Sequence, residues 1–229
     1  MRHYIDKKKI FLFLFLTLFF LSSINSQLFV EKKKSFYDLK SIEVIGLDNT
    51  INLEIEKNLN FLKNTNIFFV DREILKDQMS KYNYIENYNI IKLYPSKIIL
   101  ELKQADFLAR TIENNEIFLI GSNSKLINTE KFSNYEDLPM VFGKFTTEKF
   151  VSFKKIINKS GLEYDKIKEI FFYPSGRIDI KNKDNVLIKF PLKNLDAALN
   201  QVNKLLKNKN FSNNVIDLRV SNQLILSNE

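Results

Sequence analysis

Apolar residues dominate the chain from Ile10 to Val30, between Lys7, Lys8, Lys9 and Lys32, Lys33, Lys34; after that they recur only at short periods. A helix over 10–30 would be about 31 Å long, matching a hydrocarbon core of about 30 Å. Phe and Leu surround that helix and leave no polar face, so a membrane segment is predicted rather than a core helix. Glu31 to Tyr37 is a short charged linker. Beyond it, Ile42 and Val44 alternate with Ser41 and Glu43 in a strand over Leu39 to Ile45, closed by Gly46. Ile55, Leu59 and Leu62 fall at helical spacing after Asn52, a suitable cap, with Glu54 and Glu56 in the first turn. Asp71 caps a second helix in which Leu75, Met79 and Tyr82 share a face. Strands over Ile85 to Leu93 and Lys97 to Lys103 flank the turn Tyr94-Pro95-Ser96. The order is strand, helix, helix, strand, strand.

The remaining chain reads as a second sheet with two helices. Phe107 to Arg110, Ile117 to Ile120 and Lys125 to Ile127 form an antiparallel meander through the turn Gly121 to Ser124. Thr146 or Thr147 caps a helix carrying Phe150, Phe153 and Ile157 and stopped by Gly161; its aromatic residues at helical spacing are read as core. Strands over Ile167 to Phe172, Arg177 to Ile180 and Val186 to Phe190 precede a helix from Leu192 to Lys207, with Leu195, Leu199, Val202 and Leu206 inward. The chain closes on strands at 215–220 and 223–226.

Chemistry narrows the choice further. Signal-peptide cleavage needs small residues at the first and third positions before the cut, and no window across Leu21 to Ser26 supplies both, so an uncleaved anchor is expected. A long C-terminal region is translocated largely regardless of its charge, which places residues 1–9 in the cytoplasm. There is no cysteine, hence neither a disulfide framework nor a lipidated cysteine. The net charge of +8 suggests nucleic acid, but lysine is interspersed with Glu and Asp and forms no basic stripe, so no nucleic-acid partner is expected. The single histidine, His3, lies on the far side of the anchor, which leaves histidine triads and histidine zinc sites unassembled outside the membrane. Glycines are scattered singly, so there is no phosphate loop. Carboxylate-only glycoside cleavage stays formally open. Its nearest pairs, Glu54 with Glu56 and Glu136 with Asp137, read as helix-start and loop charges. No enzyme activity, cofactor, metal or small-molecule substrate is expected.

The strings Ser41 to Leu47, Asn66 to Asp71 and Ile91 to Ile98 resemble a POTRA domain of the type found in the bacterial cell-division FtsQ/DivIB family. Leu138 to Gly143 and the triplet Asp217-Leu218-Arg219 extend that likeness over the chain, with a departure at Asn64 and Thr65, where family members often carry Gly. The resemblance implies an α+β protein with a cytoplasmic tail at 1–9, a transmembrane helix at 10–30, a linker at 31–37, a POTRA domain (β-α-α-β-β) at 38–106 and a mixed antiparallel β domain with two helices at 107–229. It implies a non-enzymatic divisome connector in the inner membrane, bulk in the periplasm, with partners of the FtsB and FtsL type and the bilayer itself through 10–30. A POTRA-bearing assembly or translocation factor is the alternative, and a carboxylate cell-wall hydrolase a more distant one.

A sheet edge offers unpaired N–H and C=O groups to an added strand. On the family pattern, Ile216, Asp217, Leu218, Arg219 and Val220 would offer that edge, with Arg219 matching an arginine implicated in pairing with a partner carboxylate and Val220 standing where Tyr is frequent. The edge of the first sheet, at Lys97 to Lys103 or Leu39 to Ile45, is a further candidate for extended partners.

Overall fold

The computed structural model describes residues 7–22, 35–208, 214–220 and 223–228. The first helix, α1 (Lys7–Ser22), is formed by sixteen residues without Gly or Pro, and its side chains from Ile10 to Phe19 are mostly exposed. No helix among the described residues is long and apolar enough to cross a membrane. Residues 23–30 of the expected span lie outside the described residues.

The first folded unit comprises β1 (Ser41–Ile45), α2 (Asn49–Asn58), short 3-10 turns at Asn60–Leu62 and Ile67–Phe69, α3 (Arg72–Ser80), β2 (Ile85–Leu93) and β3 (Lys97–Gln104). The strand order is β1-β3-β2, with β1 parallel and β2 antiparallel to β3. The expected partner edge at Lys97 to Lys103 is therefore the middle of this sheet, and only β1 and β2 border it. Period-two alternation turns Ile98, Leu100 and Leu102 inward with Ile42 and Val44, onto Ile55 and Leu59 of the α2 region and Leu75 and Met79 of α3. Side chains buried to this degree each contribute about 1.5–3 kcal/mol.

Asp71 caps α3 as expected, accepting from the Glu73 amide at 3.0 Å. The start of α2 differs from expectation. Asp48, not Asn52, is the cap, accepting from the Thr50 amide at 2.9 Å, while Asn52 donates its side chain to the Leu47 carbonyl. Helix therefore begins at Asn49, and Glu54 and Glu56 lie past the first turn. Glu56 instead accepts from the Val44 amide at 2.9 Å and ties α2 to β1.

A nine-stranded sheet forms the second unit: β4 (Phe107–Glu113), β5 (Glu116–Gly121), β6 (Leu126–Asn128), β7 (Met140–Gly143), β8 (Ile167–Phe172), β9 (Ile178–Asn182), β10 (Leu187–Lys189), β11 (Val215–Asp217) and β12 (Ile225–Ser227). Their spatial order is β12-β11-β10-β9-β8-β7-β4-β5-β6. Parallel pairing occurs at β4–β7, β7–β8 and β10–β11. Each needs a crossover, which runs through β5 and β6 for β4–β7 and is helical for the other two: α4 (Thr147–Ser160) between β7 and β8 and α5 (Leu195–Leu206) between β10 and β11. Phe150, Phe153 and Ile157 of α4 and Leu199 and Val202 of α5 are buried against Ile170, Phe172, Ile180, Ile188 and Ile216. The two helices are joined where Asn203 donates to the Ser160 carbonyl at 3.1 Å. Thr146 caps α4, and Gly161 ends it in the left-handed region at φ 72°.

The β5–β6 hairpin joins the two units. Leu119 and Ile127 are buried in the first unit's core rather than the second's. Asn83 donates to the Leu126 carbonyl at 3.0 Å, and Asn123 returns bonds to the carbonyls of Asn83 (2.8 Å) and Ile85 (3.0 Å). Phe132 packs edge-on to both Tyr84 and Phe107, at centroid distances of 5.5 and 4.8 Å. With few glycines in the chain, left-handed turn positions fall mostly to asparagine: of seven described non-glycine residues with positive φ, Asn64, Asn114, Asn115, Asn134, Asn185 and Asn194 are six.

Gly143 combines a φ of 96° with a position where a Cβ would run into the Phe172 carbonyl, whereas at Gly176, φ 88°, a Cβ would meet Leu192 Cδ2 at an ordinary van der Waals distance of 3.9 Å. Gly143→Ala should therefore cost well over about 1 kcal/mol, and Gly176→Ala less, measured by denaturant unfolding of each variant. Equal losses would show that backbone strain alone decides both positions.

Candidate partner-binding edge

The C-terminal segment does not present the residues expected at the edge. β11 lies between β10, to which it is parallel, and β12, to which it is antiparallel. Ile216 is completely buried, and Asp217 and Leu218 are nearly so. The Leu218 amide donates to the Lys189 carbonyl at 2.9 Å. The edge itself is β12, whose Ile225 and Leu226 are exposed. Parallel pairing across a helical crossover puts β11 inside the sheet, and no local pattern announces it.

Main-chain directions at this edge follow from the neighbouring bonds. The Asn214 carbonyl accepts from Leu187, and Leu218 donates to Lys189, so Ile216 turns its main-chain groups toward β10 while Val215 and Asp217 turn theirs toward β12. In the register Val215 with Ser227 and Asp217 with Ile225, those β12 residues are the bonded ones, and the N–H and C=O of Leu226 face outward.

Beside this edge runs an open groove of about 840 Å³ between the start of α5 and the tail, lined by Pro191, Leu192, Ala198, Leu218, Val220 and Leu224 among others. Its charged wall is built from two strand pairs at i, i+2 spacing. Arg219 donates from Nε to both Asp217 carboxylate oxygens at 2.9 Å and from Nη2 to Oδ2 at 2.6 Å. Arg177 pairs with Asp179 at 3.1 Å and lies over the Tyr173 ring, 3.9 Å from its centroid. The Arg219 hydrogen bonds hold the Asp217 carboxyl below its ordinary value. Burial pushes Asp179 up, opposed by Arg177. Arg177, Asp179 and Tyr173 were not among the residues expected from sequence; the signal for them is the pairing of Arg177-x-Asp179 with Asp217-x-Arg219, two charge pairs that strand periodicity puts on one face each.

Of the carboxylates considered for hydrolysis, Glu54 and Glu56 are each engaged elsewhere. Glu54 bonds to Lys131 and Glu56 to the Val44 amide. Among the described residues, no group of three or more His, Cys, Asp or Glu side chains is placed to hold a metal ion.

Two family models match in succession: the POTRA domain, FtsQ-type, over residues 38–103, and the cell division protein FtsQ/DivIB, C-terminal, over 109–219. The chain belongs to the FtsQ/DivIB family. Among curated relatives, the cell division protein FtsQ of Bradyrhizobium diazoefficiens is 22% identical over 163 residues, covering 70% of this chain and 48% of that protein. FtsQ of Rickettsia bellii is 25% identical over 193 residues, covering 82% and 71%. The chain thus spans about half the length of the first relative and about 70% of the second. The solved extracytoplasmic domain of the cell division protein DivIB from Geobacillus stearothermophilus aligns with 48% of this chain and 99% of its own, at 14% identity and a TM-score of 0.32. FtsQ/DivIB members are cell division proteins, and a place in the division machinery is the role that membership supports.

In this FtsQ-family chain, Arg219 is engaged with Asp217 rather than idle, although 44% of its side chain remains exposed. The pair also carries a pH signature. An aspartate whose folded-state value is depressed stabilises the fold above its unfolded value, and that stability is lost as pH falls through the folded value. Arg219→Ala should lower stability at neutral pH, and the gap to the unaltered chain should close as pH falls below about 3.8, the ordinary value for Asp217. Denaturant melts across pH 2 to 7 check this, and a gap that persists at the lowest pH would show that packing of the arginine stem, not its charge, is what was lost.

Proposed function

We propose that this chain is a non-enzymatic connector of the division machinery that captures an extended segment of a partner protein as an additional strand on β12. The observation that carries this reading is the outward main chain of Leu226, on a strand that among the described residues is paired on one side and carries exposed apolar side chains. The other end of the same sheet is not available, because β6 is packed against the first unit through Ile127 and the Asn83 bond. Backbone pairing would supply affinity, and the adjoining groove would supply selectivity through its apolar floor and its Arg219 rim. Val220, exposed at that rim, offers less contact area than an aromatic residue would.

Of the residues expected to bind, Ile216, Asp217 and Leu218 then serve by holding β12 in place, and Arg219 and Val220 by touching what docks there. Division proteins of the FtsB and FtsL type are the partners that the family resemblance implies. A membrane tether through residues 10–30, with the N-terminus in the cytoplasm and the folded units in the periplasm, belongs to this same reading. Confinement to one bilayer would raise the effective concentration of partners, so that a modest strand contact suffices.

Two proline substitutions test the edge. Leu226→Pro removes only an outward N–H and should abolish capture of an FtsB-type partner by the full-length chain while changing stability by less than about 1 kcal/mol. Leu218→Pro removes an inward bond to Lys189 and should cost about 1–3 kcal/mol of stability. Pull-down and thermal unfolding of both variants provide the readout. Undiminished capture by a stably folded Leu226→Pro chain would end the strand-addition reading.

A further inference from the structure

The first unit carries an aromatic cluster that its core does not use. Phe36, Tyr37, Phe68 and Tyr94 form a chain of ring contacts at 5.4, 5.1 and 4.9 Å. All four are exposed, and beside Phe68 the Phe69 side chain is 82% exposed. The rings stand on stiff supports. The Ile67 amide donates to the Tyr37 carbonyl at 2.9 Å, and Lys92 donates its ammonium to the carbonyls of Ile67 and Val70, each at 2.9 Å. An exposed apolar surface held in fixed geometry marks a contact site.

Its surroundings favour a lipid surface. Lys40 and Lys63 are exposed and lie next in sequence to Leu39 and Asn64, which are joined by a bond from the Asn64 amide to the Leu39 carbonyl. The nearby carboxylates Asp38 and Asp71 are turned onto the amides of Ser35 and Glu73. Phe and Tyr beside lysine is the composition of a membrane-interface anchor, in which lysine adds attraction to an anionic leaflet. Chain connectivity points the same way. Twelve residues separate Ser22, the end of apolar α1, from Ser35, and such a length spans at most about 40 Å when extended. The chain enters the cluster at once, at Phe36.

We propose that Phe36, Tyr37, Phe68, Phe69 and Tyr94 dock the first unit onto the anionic bilayer surface, which orients the two units and hence β12 relative to the membrane. This rests on the membrane-tether reading of the N-terminal segment. The chain contains no tryptophan, so Phe69→Trp introduces a single tryptophan, excited at wavelengths where tyrosine does not absorb, at an exposed site, and Leu192→Trp, exposed on the second unit, is its control. The full chain is reconstituted into phosphatidylcholine and phosphatidylglycerol vesicles with or without brominated acyl chains. Interfacial rings sit about 5–10 Å into the headgroup boundary, so Phe69→Trp emission should shift to the blue and fall roughly twofold with brominated lipid, while Leu192→Trp emission stays unchanged. Adding Lys40→Glu and Lys63→Glu should weaken the quenching.

If the chain floats with vesicles and Phe69→Trp is no more quenched than the control, docking is overturned and the tether stands. A blue shift without bromine quenching assigns the patch to a protein contact and equally overturns it. If the chain does not float with vesicles, the tether reading fails and takes the docking with it.

Discussion

Burial of the β5–β6 hairpin beneath the first unit is the constraint on which the rest of the arrangement depends. Leu119 and Ile127 complete a core whose other fully buried side chains come from residues before 106. The polar bonds of Asn83 and Asn123 fix its position at the carbonyls of Leu126, Asn83 and Ile85. Hydrophobic burial supplies the attraction here, while the hydrogen bonds, two of them exposed and one half-buried, select one register. The two units are thus held as one body. A sheet that would otherwise have two open ends has one of them closed.

The other end is governed by electrostatics as much as by main-chain pairing. Two arginine–aspartate pairs stand at this side of the sheet, Arg177 with Asp179 at β9 and Arg219 with Asp217 at β11, with β10 between them. The pairs differ in character: Asp217 is stabilised as an anion by a forked arginine, whereas Asp179 is driven by burial toward its neutral form and only partly restrained by Arg177. Bidentate geometry accounts for the contrast, since parallel N–H···O bonds to a carboxylate strengthen one another whereas a single ion pair inside the sheet must overcome desolvation. Arg219, beside β12, is therefore held in place by its own aspartate, which suits recognition by shape and main-chain bonding more than by a free charge.

Local pattern made much of the fold legible, and its failures share one cause. Helices α3 and α4 followed from Asp71, Thr146 and Gly161, whose capping roles depend on a few neighbouring residues. The start of α2 was missed because Asp48 and Asn52 are equally good caps by type, and the choice rests on the Glu56 bond to a strand twelve residues earlier. Which strand forms the edge was missed for the same reason on a larger scale: β11 has the same local look whether it ends the sheet or lies within it, and only its parallel pairing with β10 decides. Asp179 sits on a strand buried on both faces, so alternation, which assumes one wet face, says nothing about it.

The asparagine turns bear on how a chain without cysteine stays folded. A disulfide acts in large part by narrowing the unfolded ensemble, and glycine at a turn does the opposite, since it has more conformations to lose. Asparagine tolerates the left-handed region better than most residues yet keeps a Cβ that restrains the unfolded chain. With six such positions spread from Asn64 to Asn194, restriction of the denatured state is distributed along the chain in many small increments instead of being concentrated in a few covalent crosslinks, and it is unaffected by the redox state of whatever compartment the protein occupies.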